Sequence, residues 1–229
     1  MDCTVNFRDI GGCVAYNGKA VKKGVFYRSG DMETLTDADL KVLDSLNLKT
    51  IVDFRTDEER MAVPDRTPAS VKKVVNLVVE PGSIFDLSEV TGATGPDLMK
   101  KLNVFLVNEA RTQYIEFFRI LSNPVNTPLL FHCSAGKDRT GYAAALLLAA
   151  FDVERKIIFA DYMASAPNIE AKYGGLLRKY PELIPAITVH QEYILAAFNE
   201  IDHVYGGTEK YLTRELDVNL TLLRDLYLE

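Results

Sequence analysis

Cys133 and Arg139 stand with five residues between them in the run His132-Cys133-Ser134-Ala135-Gly136-Lys137-Asp138-Arg139-Thr140-Gly141. A thiol and a guanidinium at that spacing suit the displacement of a phosphoryl group onto sulfur, provided that the chain between them curls around an anion. The flanks supply the curl. Leu129 to Phe131 reads as a short buried strand after Pro128, and Tyr142 to Phe151 is an unbroken Ala/Leu helix, so the loop sits at a helix N-terminus. Free N–H groups and the positive end of the helix dipole favour an anion there and favour a thiolate at Cys133. Arg139 offers a planar fork for two oxygens, and Gly136 lets the backbone of Ser134, Ala135 and Gly136 turn its N–H groups inward. Thr140 is expected to donate its hydroxyl to the Cys133 sulfur, or to cap the helix, and His132 to orient the loop. A Walker loop is excluded, because Phe131 and Asp138 occupy the positions where it needs Gly and Ser or Thr.

Sulfur that is already ionised needs no base, so the missing partner is an acid for the leaving oxygen. Asp138 is the first candidate, since a bound phosphate dianion repels its carboxylate and favours the protonated form. Pairing with Lys137 or Arg139 to hold the loop is the competing role. Asp97, in Pro96-Asp97, is the alternative acid and Asp86 the third, both in or beside a Gly- and Pro-containing stretch from Pro81 to Asp97 that reads as a loop and could cover the site.

The loop resembles that of the atypical bacterial tyrosine and phosphoinositide phosphatases, His-Cys-x-x-Gly-Lys-Asp-Arg-Thr-Gly, at every specified position from His132 to Gly141. Further segments agree: Asn6-Phe7-Arg8-Asp9-Ile10-Gly11-Gly12, Tyr27-Arg28-Ser29-Gly30, Val52-Asp53-Phe54-Arg55 with Glu58-Glu59, Asp161-Tyr162, Tyr205-Gly206-Gly207 and Tyr211-Leu212. The resemblance implies a cysteine-phosphatase fold and hydrolysis of phosphomonoesters through a phosphocysteine, acting on phosphotyrosine, phosphoserine or phosphothreonine, and phosphoinositides. It implies that Lys137 reads multiply phosphorylated lipids and that Asp138 is the acid. No metal or other cofactor is expected. The Trp-Pro-Asp acid loop of conventional tyrosine phosphatases is absent, for the chain has no Trp. Two segments depart from the pattern: Pro81 to Arg111 does not resemble the insertion of the mycobacterial member, and Cys13 stands where an aromatic residue often follows the paired glycines. Two other functions stay open, a phosphate-binding pseudophosphatase and an enzyme dedicated to inositol phosphates.

The elements that must position this loop follow from periodicity. Strands are expected at Val25 to Arg28, Thr50 to Phe54, Val74 to Val79 (central in the sheet) and Leu129 to Phe131. Thr36-x-x-Asp39 and Thr56-x-x-Glu59 are capping boxes opening two helices, the first with Leu40, Leu43 and Leu46 on one face. Later helices are expected at Gln113 to Leu121, Tyr142 to Phe151, Val153 to Ala164, His190 to Val204 and Val218 to Leu226, with Gly206 a C-cap. The result is an α/β fold, a central sheet flanked by helices with a helical C-terminal half. Arg8, Asp9, Arg28, Asp53 and Arg55 are expected to knit strand ends by ion pairs.

Bulk properties agree with one catalytic domain over 1–229. The 48% apolar and 25% charged composition excludes disorder and fibres, and the net charge of −6 argues against nucleic acid and makes any phosphate patch local. Cysteines at 3, 13 and 133 suit neither zinc nor a disulfide framework. No leader or membrane span is visible, so the default location is the cytoplasm, with secretion the alternative if a leader has been removed.

Overall fold

A computed structural model describes residues 5–82, 91 and 93–229. In chain order its main elements are β1 (Arg8–Asp9), β2 (Phe26–Ser29), α1 (Asp37–Ser45), β3 (Thr50–Asp53), α2 (Asp57–Ala62), β4 (Lys73–Asn76) and α3 (Gly95–Asn108). There follow α4 (Arg111–Leu121), β5 (Leu129–His132), α5 (Asp138–Ala150), α6 (Arg155–Met163), α7 (Ala166–Lys179), α8 (Ile184–Ile187) and α9 (Gln191–Val204), and a last helix spans Leu220–Tyr227. The sheet runs β1-β2-β5-β3-β4, antiparallel only between β1 and β2. In register, His132 at the end of β5 lies beside Ser29 of β2 on one side and Asp53 of β3 on the other. Three carboxyl ends therefore converge where the cysteine loop leaves the sheet, which is where open α/β sheets place their sites.

Both capping boxes form. Thr36 accepts from the Asp39 N–H at 3.2 Å while Asp39 accepts from the Thr36 N–H at 2.9 Å, and Thr56 and Glu59 do the same at 3.2 and 2.8 Å. Leu43 of α1 is fully buried, as its periodicity requires. In α5, a block of leucines stands between two blocks of alanines, so Ala143, Ala144 and Ala150 let the helix lie close to its neighbours while Leu146 and Leu147 fill the gaps with no exposure. Each such leucine stabilises the fold by roughly 1.5–3 kcal/mol.

Three expectations need correction. The strand foreseen at Val74 to Val79 is β4, Lys73–Asn76, and it lies at the sheet edge with no buried position rather than at the centre. β-branched residues favour a strand but do not say where it pairs, whereas Lys72, Lys73 and Asn76 are the polar groups that an edge tolerates. The helix foreseen from Tyr142 begins at Asp138, because its polar first turn answers to the dipole and not to the core. Helices α3 and α7 were not foreseen: α3 opens on Gly95-Pro96 with the proline in its first turn, where proline is tolerated, and α7 carries Gly174-Gly175 in its interior.

Candidate active site

Gly136 decides the shape of the loop. Its φ is +65°, and a Cβ there would lie 2.4 Å from the Ser29 carbonyl oxygen and 2.6 Å from the Gly30 nitrogen, so only glycine fits. The carbonyls of the loop are fastened outward. Ser134 O accepts from the Asp31 N–H at 3.0 Å, and Gly136 O from Asn6 Nδ2 and Arg28 Nη2, each at 2.8 Å. In a trans peptide the following N–H points the opposite way, so the amides of Ala135 and Lys137 turn toward the cavity. No residue among those described accepts the N–H groups of Ser134 through Arg139. These unclaimed donors at the start of α5 make an anion cradle, with Cys133, 3% exposed, at its base.

Arg139 is held by Glu59 through a two-pronged pair, Nη1 to Oε2 at 2.7 Å and Nη2 to Oε1 at 2.6 Å. Nε has no acceptor among the described residues and Nη2 makes only a long contact to Ser134 Oγ at 3.5 Å besides Glu59, so Nε and Nη2 can form a second, side-on fork. Glu59 also accepts from the Ser134 hydroxyl and, in its capping role, from the Thr56 N–H. Burial works to raise its pKa, but the Arg139 hydrogen bonds and charge, with Ser134 and Thr56, outweigh that and hold it at about 2. For Arg139 burial works downward, and Glu59 with the Cys133 charge pushes the guanidinium above its usual range. The sequence marks Glu59 as a helix cap and as part of a segment shared with the family, but not as the partner of Arg139. Its partner lies 80 residues away, and the available signal was a capping glutamate directly behind a strand end.

Asp138 lines the cavity. Its Oδ1 accepts from the Tyr162 hydroxyl at 3.0 Å, and its Oδ2 lies 3.4 Å from Lys137 Nζ. Lys137 is 3% exposed and donates to the carbonyls of Ala186 (2.6 Å), Ile187 (3.2 Å) and Thr188 (3.0 Å), so its ammonium closes the C-terminus of α8 rather than standing free for a second phosphate. Thr140 occupies the third helical position, past the cap taken by Lys137. Its buried Oγ1 has no partner among the described residues, so neither the bond to the Cys133 sulfur nor the cap is formed here. Asp97 does not line the cavity; its side chain is 76% exposed and sits 3.6 Å from Lys100 Nζ. Asp86 and Cys3 lie outside the described residues.

The cavity encloses about 610 Å³. Cys133, Ser134, Ala135, Lys137, Asp138 and Arg139 form its floor, with Glu59 and Thr56 beside them. Its roof is apolar, with Tyr173 and Leu176 from α7, Leu183, Ala186 and Ile187 around α8, and Leu102 from α3. The cover foreseen between Pro81 and Asp97 falls mostly on residues 83–90 and 92, which lie outside the described residues; Pro81 and Gly82 line the wall. Lys172 of α7 ties the roof to Asp31, the residue whose N–H holds Ser134 O.

The arginines and carboxylates of the strand ends behave as foreseen, save one. Arg8 and Arg28 both pair with Asp161, and Arg55 pairs with Asp53 and Asp65. Burial raises the Asp161 carboxyl, but the two guanidinium groups prevail and lower it. Asp9 makes no ion pair among the described residues; it accepts from the N–H groups of Gly11 and Gly24 at 2.8 and 2.6 Å. His132 is fully buried, with Nδ1 3.3 Å from Cys133 O and Nε2 3.4 Å from Asp65 and 3.8 Å from Asp53. Asp53, Asp65 and His132 are close enough to share a cation, but the Arg55 guanidinium already occupies the carboxylate oxygens that would bind one.

Comparison with known proteins agrees with this geometry. A model described as the tyrosine phosphatase family matches residues 1–229. A Cupriavidus necator protein named after tyrosine-protein phosphatases is 33% identical over all of this chain and 87% of its own. The triple specificity protein phosphatase PtpB of Mycobacterium tuberculosis is 27% identical over 90% of each chain. Among solved structures, the core catalytic domain of the PP-IP phosphatase SIW14 from S. cerevisiae, with citrate bound, aligns at a TM-score of 0.43 and 17% identity, covering 79% of this chain and 95% of that one. With Cys133, the unclaimed amides and Arg139 assembled on one loop and the family match running from end to end, this chain belongs to the tyrosine phosphatase family.

Proposed function

We propose that the protein hydrolyses phosphate monoesters in two displacements at Cys133. In the first, the Cys133 Sγ–P bond forms as the P–O bond to the leaving group breaks; its electron pair departs on oxygen, and Asp138 supplies the proton. In the second, water attacks phosphorus, the S–P bond breaks to return the thiolate, and Asp138 takes the proton from water. Loop amides and the free fork of Arg139 bind the equatorial oxygens throughout, where charge develops. Ser134, Ala135, Gly136 and Lys137 contribute that backbone. The observation that carries the reading is the set of unclaimed N–H groups above Cys133, with Arg139 fixed beside it by Glu59.

The cavity favours a single phosphate on an aromatic or apolar body, as in phosphotyrosine. Its two cations are already engaged, Arg139 with Glu59 and Lys137 with the roof, while Glu59 and Glu80 add negative charge to the lining. Further phosphates on an inositol ring would meet carboxylates and leucines. We take residues 1–229 as one catalytic unit, since the site draws on Asn6, Glu59, the cysteine loop and Ala186. No helix among the described residues is long and apolar enough to cross a membrane.

The test uses p-nitrophenyl phosphate. The native chain should release phosphate and, when quenched during turnover, carry phosphate on Cys133; Cys133→Ser should do neither. A native chain that binds phosphate without turnover would leave only the pseudophosphatase.

A further inference from the structure

The two oxygens of Asp138 are chemically equivalent, and the fold gives them different partners. Oδ2 faces Lys137 Nζ at 3.4 Å, whereas Oδ1 receives a hydrogen bond from the hydroxyl of Tyr162, 3.0 Å away on α6. Tyr162 is 1% exposed, and among the described residues Asp138 accepts from its hydroxyl. Burial first, and the Asp138 charge second, push that phenol well above its ordinary pKa, which keeps its proton in place as a donor.

The ring reaches Asp138 only because position 141 lacks a side chain. A Cβ on Gly141 would lie 2.8 Å from Tyr162 Cδ2 and 2.9 Å from Cε2, inside van der Waals contact. Gly141 stands three residues after Asp138 on α5, hence one turn further along the same face. An interior helical glycine costs about 1 kcal/mol relative to alanine, so its presence needs a packing reason, and the Tyr162 ring supplies one. The neighbouring residue on α6 acts on the other end of the loop: Asp161 binds Arg28, and Arg28 Nη2 holds the Gly136 carbonyl. Two consecutive residues of one helix thus fix the cradle backbone and the carboxyl beside it.

We propose that Tyr162 is a positioning residue for proton transfer in this reaction, its hydroxyl, admitted by Gly141, anchoring Oδ1 of Asp138 and so fixing the plane of the carboxyl that lines the cavity. The inference rests on the assignment of Asp138 as the acid. Rotation about χ2 turns the carboxyl plane through a broad well, and a donor fixed on one oxygen narrows that rotation. The carboxyl then waits in the orientation that transfer requires, which is where general acids gain their rate.

The experiment is a series of aryl phosphates of rising leaving-group basicity, from p-nitrophenyl to phenyl phosphate, with kcat/KM measured because it reports the step that breaks the P–O bond. Tyr162→Phe removes one oxygen and keeps the ring. It should lower kcat/KM on phenyl phosphate about tenfold, part of the roughly 10²–10⁴-fold that a general acid supplies, and on p-nitrophenyl phosphate no more than about twofold. Gly141→Ala, which displaces the ring by another route, should tilt the series the same way. Tyr142→Phe is the control: it deletes an equally buried phenol of α5 whose hydroxyl bonds to Tyr211 at 3.1 Å, and any loss should be equal across the series. In an Asp138→Asn background, Tyr162→Phe should add no further tilt.

Uniform loss across the series in Tyr162→Phe, or no loss, overturns the proposal while leaving Asp138 as the acid if Asp138→Asn tilts it. If Asp138→Asn itself leaves the series flat, the acid assignment fails and Tyr162 has nothing to position.

Discussion

Replacing Glu59 with glutamine keeps the helix cap and the shape of the side chain but removes the charge that holds Arg139. The depression of its carboxyl from the ordinary 4.5 to about 2 is worth roughly 3 kcal/mol in favour of the folded, ionised form. With the side chain 32% exposed, screening trims this to about 2 kcal/mol. Because the folded pKa is the lower one, that stability is fully present above about pH 4.5 and is lost as the pH falls toward 2. Urea unfolding followed by circular dichroism should therefore show Glu59→Gln about 2 kcal/mol less stable than the native chain at pH 7, with the gap narrowing steadily below pH 4.5. Activity should suffer separately. A guanidinium released from its partner no longer presents Nε and Nη2 in one direction, and a tenfold fall in kcat/KM needs a loss of only about 1.4 kcal/mol at the transition state. A variant as stable as the native chain at pH 7, or a gap that does not change between pH 5 and pH 3, would refute the reasoning.

Two further outcomes follow from distances already given. Gly136→Ala should unfold at a markedly lower temperature and lose activity, because a left-handed residue costs about 1–3 kcal/mol before the 2.4 Å collision with Ser29 is counted; calorimetry with a p-nitrophenyl phosphate assay checks both. Lys137→Met should loosen the roof, seen as faster amide hydrogen exchange between residues 181 and 189 while the strands exchange as before, since the carbonyls of Ala186, Ile187 and Thr188 lose their donor.

What could be read in advance was local. The two capping boxes and the strand before Cys133 each depend on neighbours within a few residues, and all stand as expected. What escaped depends on distant partners. Glu59 finds Arg139 80 residues on, and Lys137 finds three carbonyls about fifty residues on, neither visible in spacing. Strand propensity put Val74 and Val75 in a sheet but could not rank the edge against the centre, which is settled by the crossover that brings β5 between β2 and β3. Helix α7 was hidden because its adjacent glycines are unfavourable to helix, and packing of Ile169 and Tyr173 overrides them.

The outward fastening of the loop carbonyls has a consequence for turnover. A vessel whose walls are set before anything enters pays almost no entropy to receive an oxyanion, and it is equally ready for the one that is left after the second displacement. Inorganic phosphate should then linger as a competitor and protect the folded chain, by about 2.7 kcal/mol at a hundredfold excess over its dissociation constant. Rigidity that hastens the forward chemistry thereby ties the enzyme's throughput to the phosphate level around it.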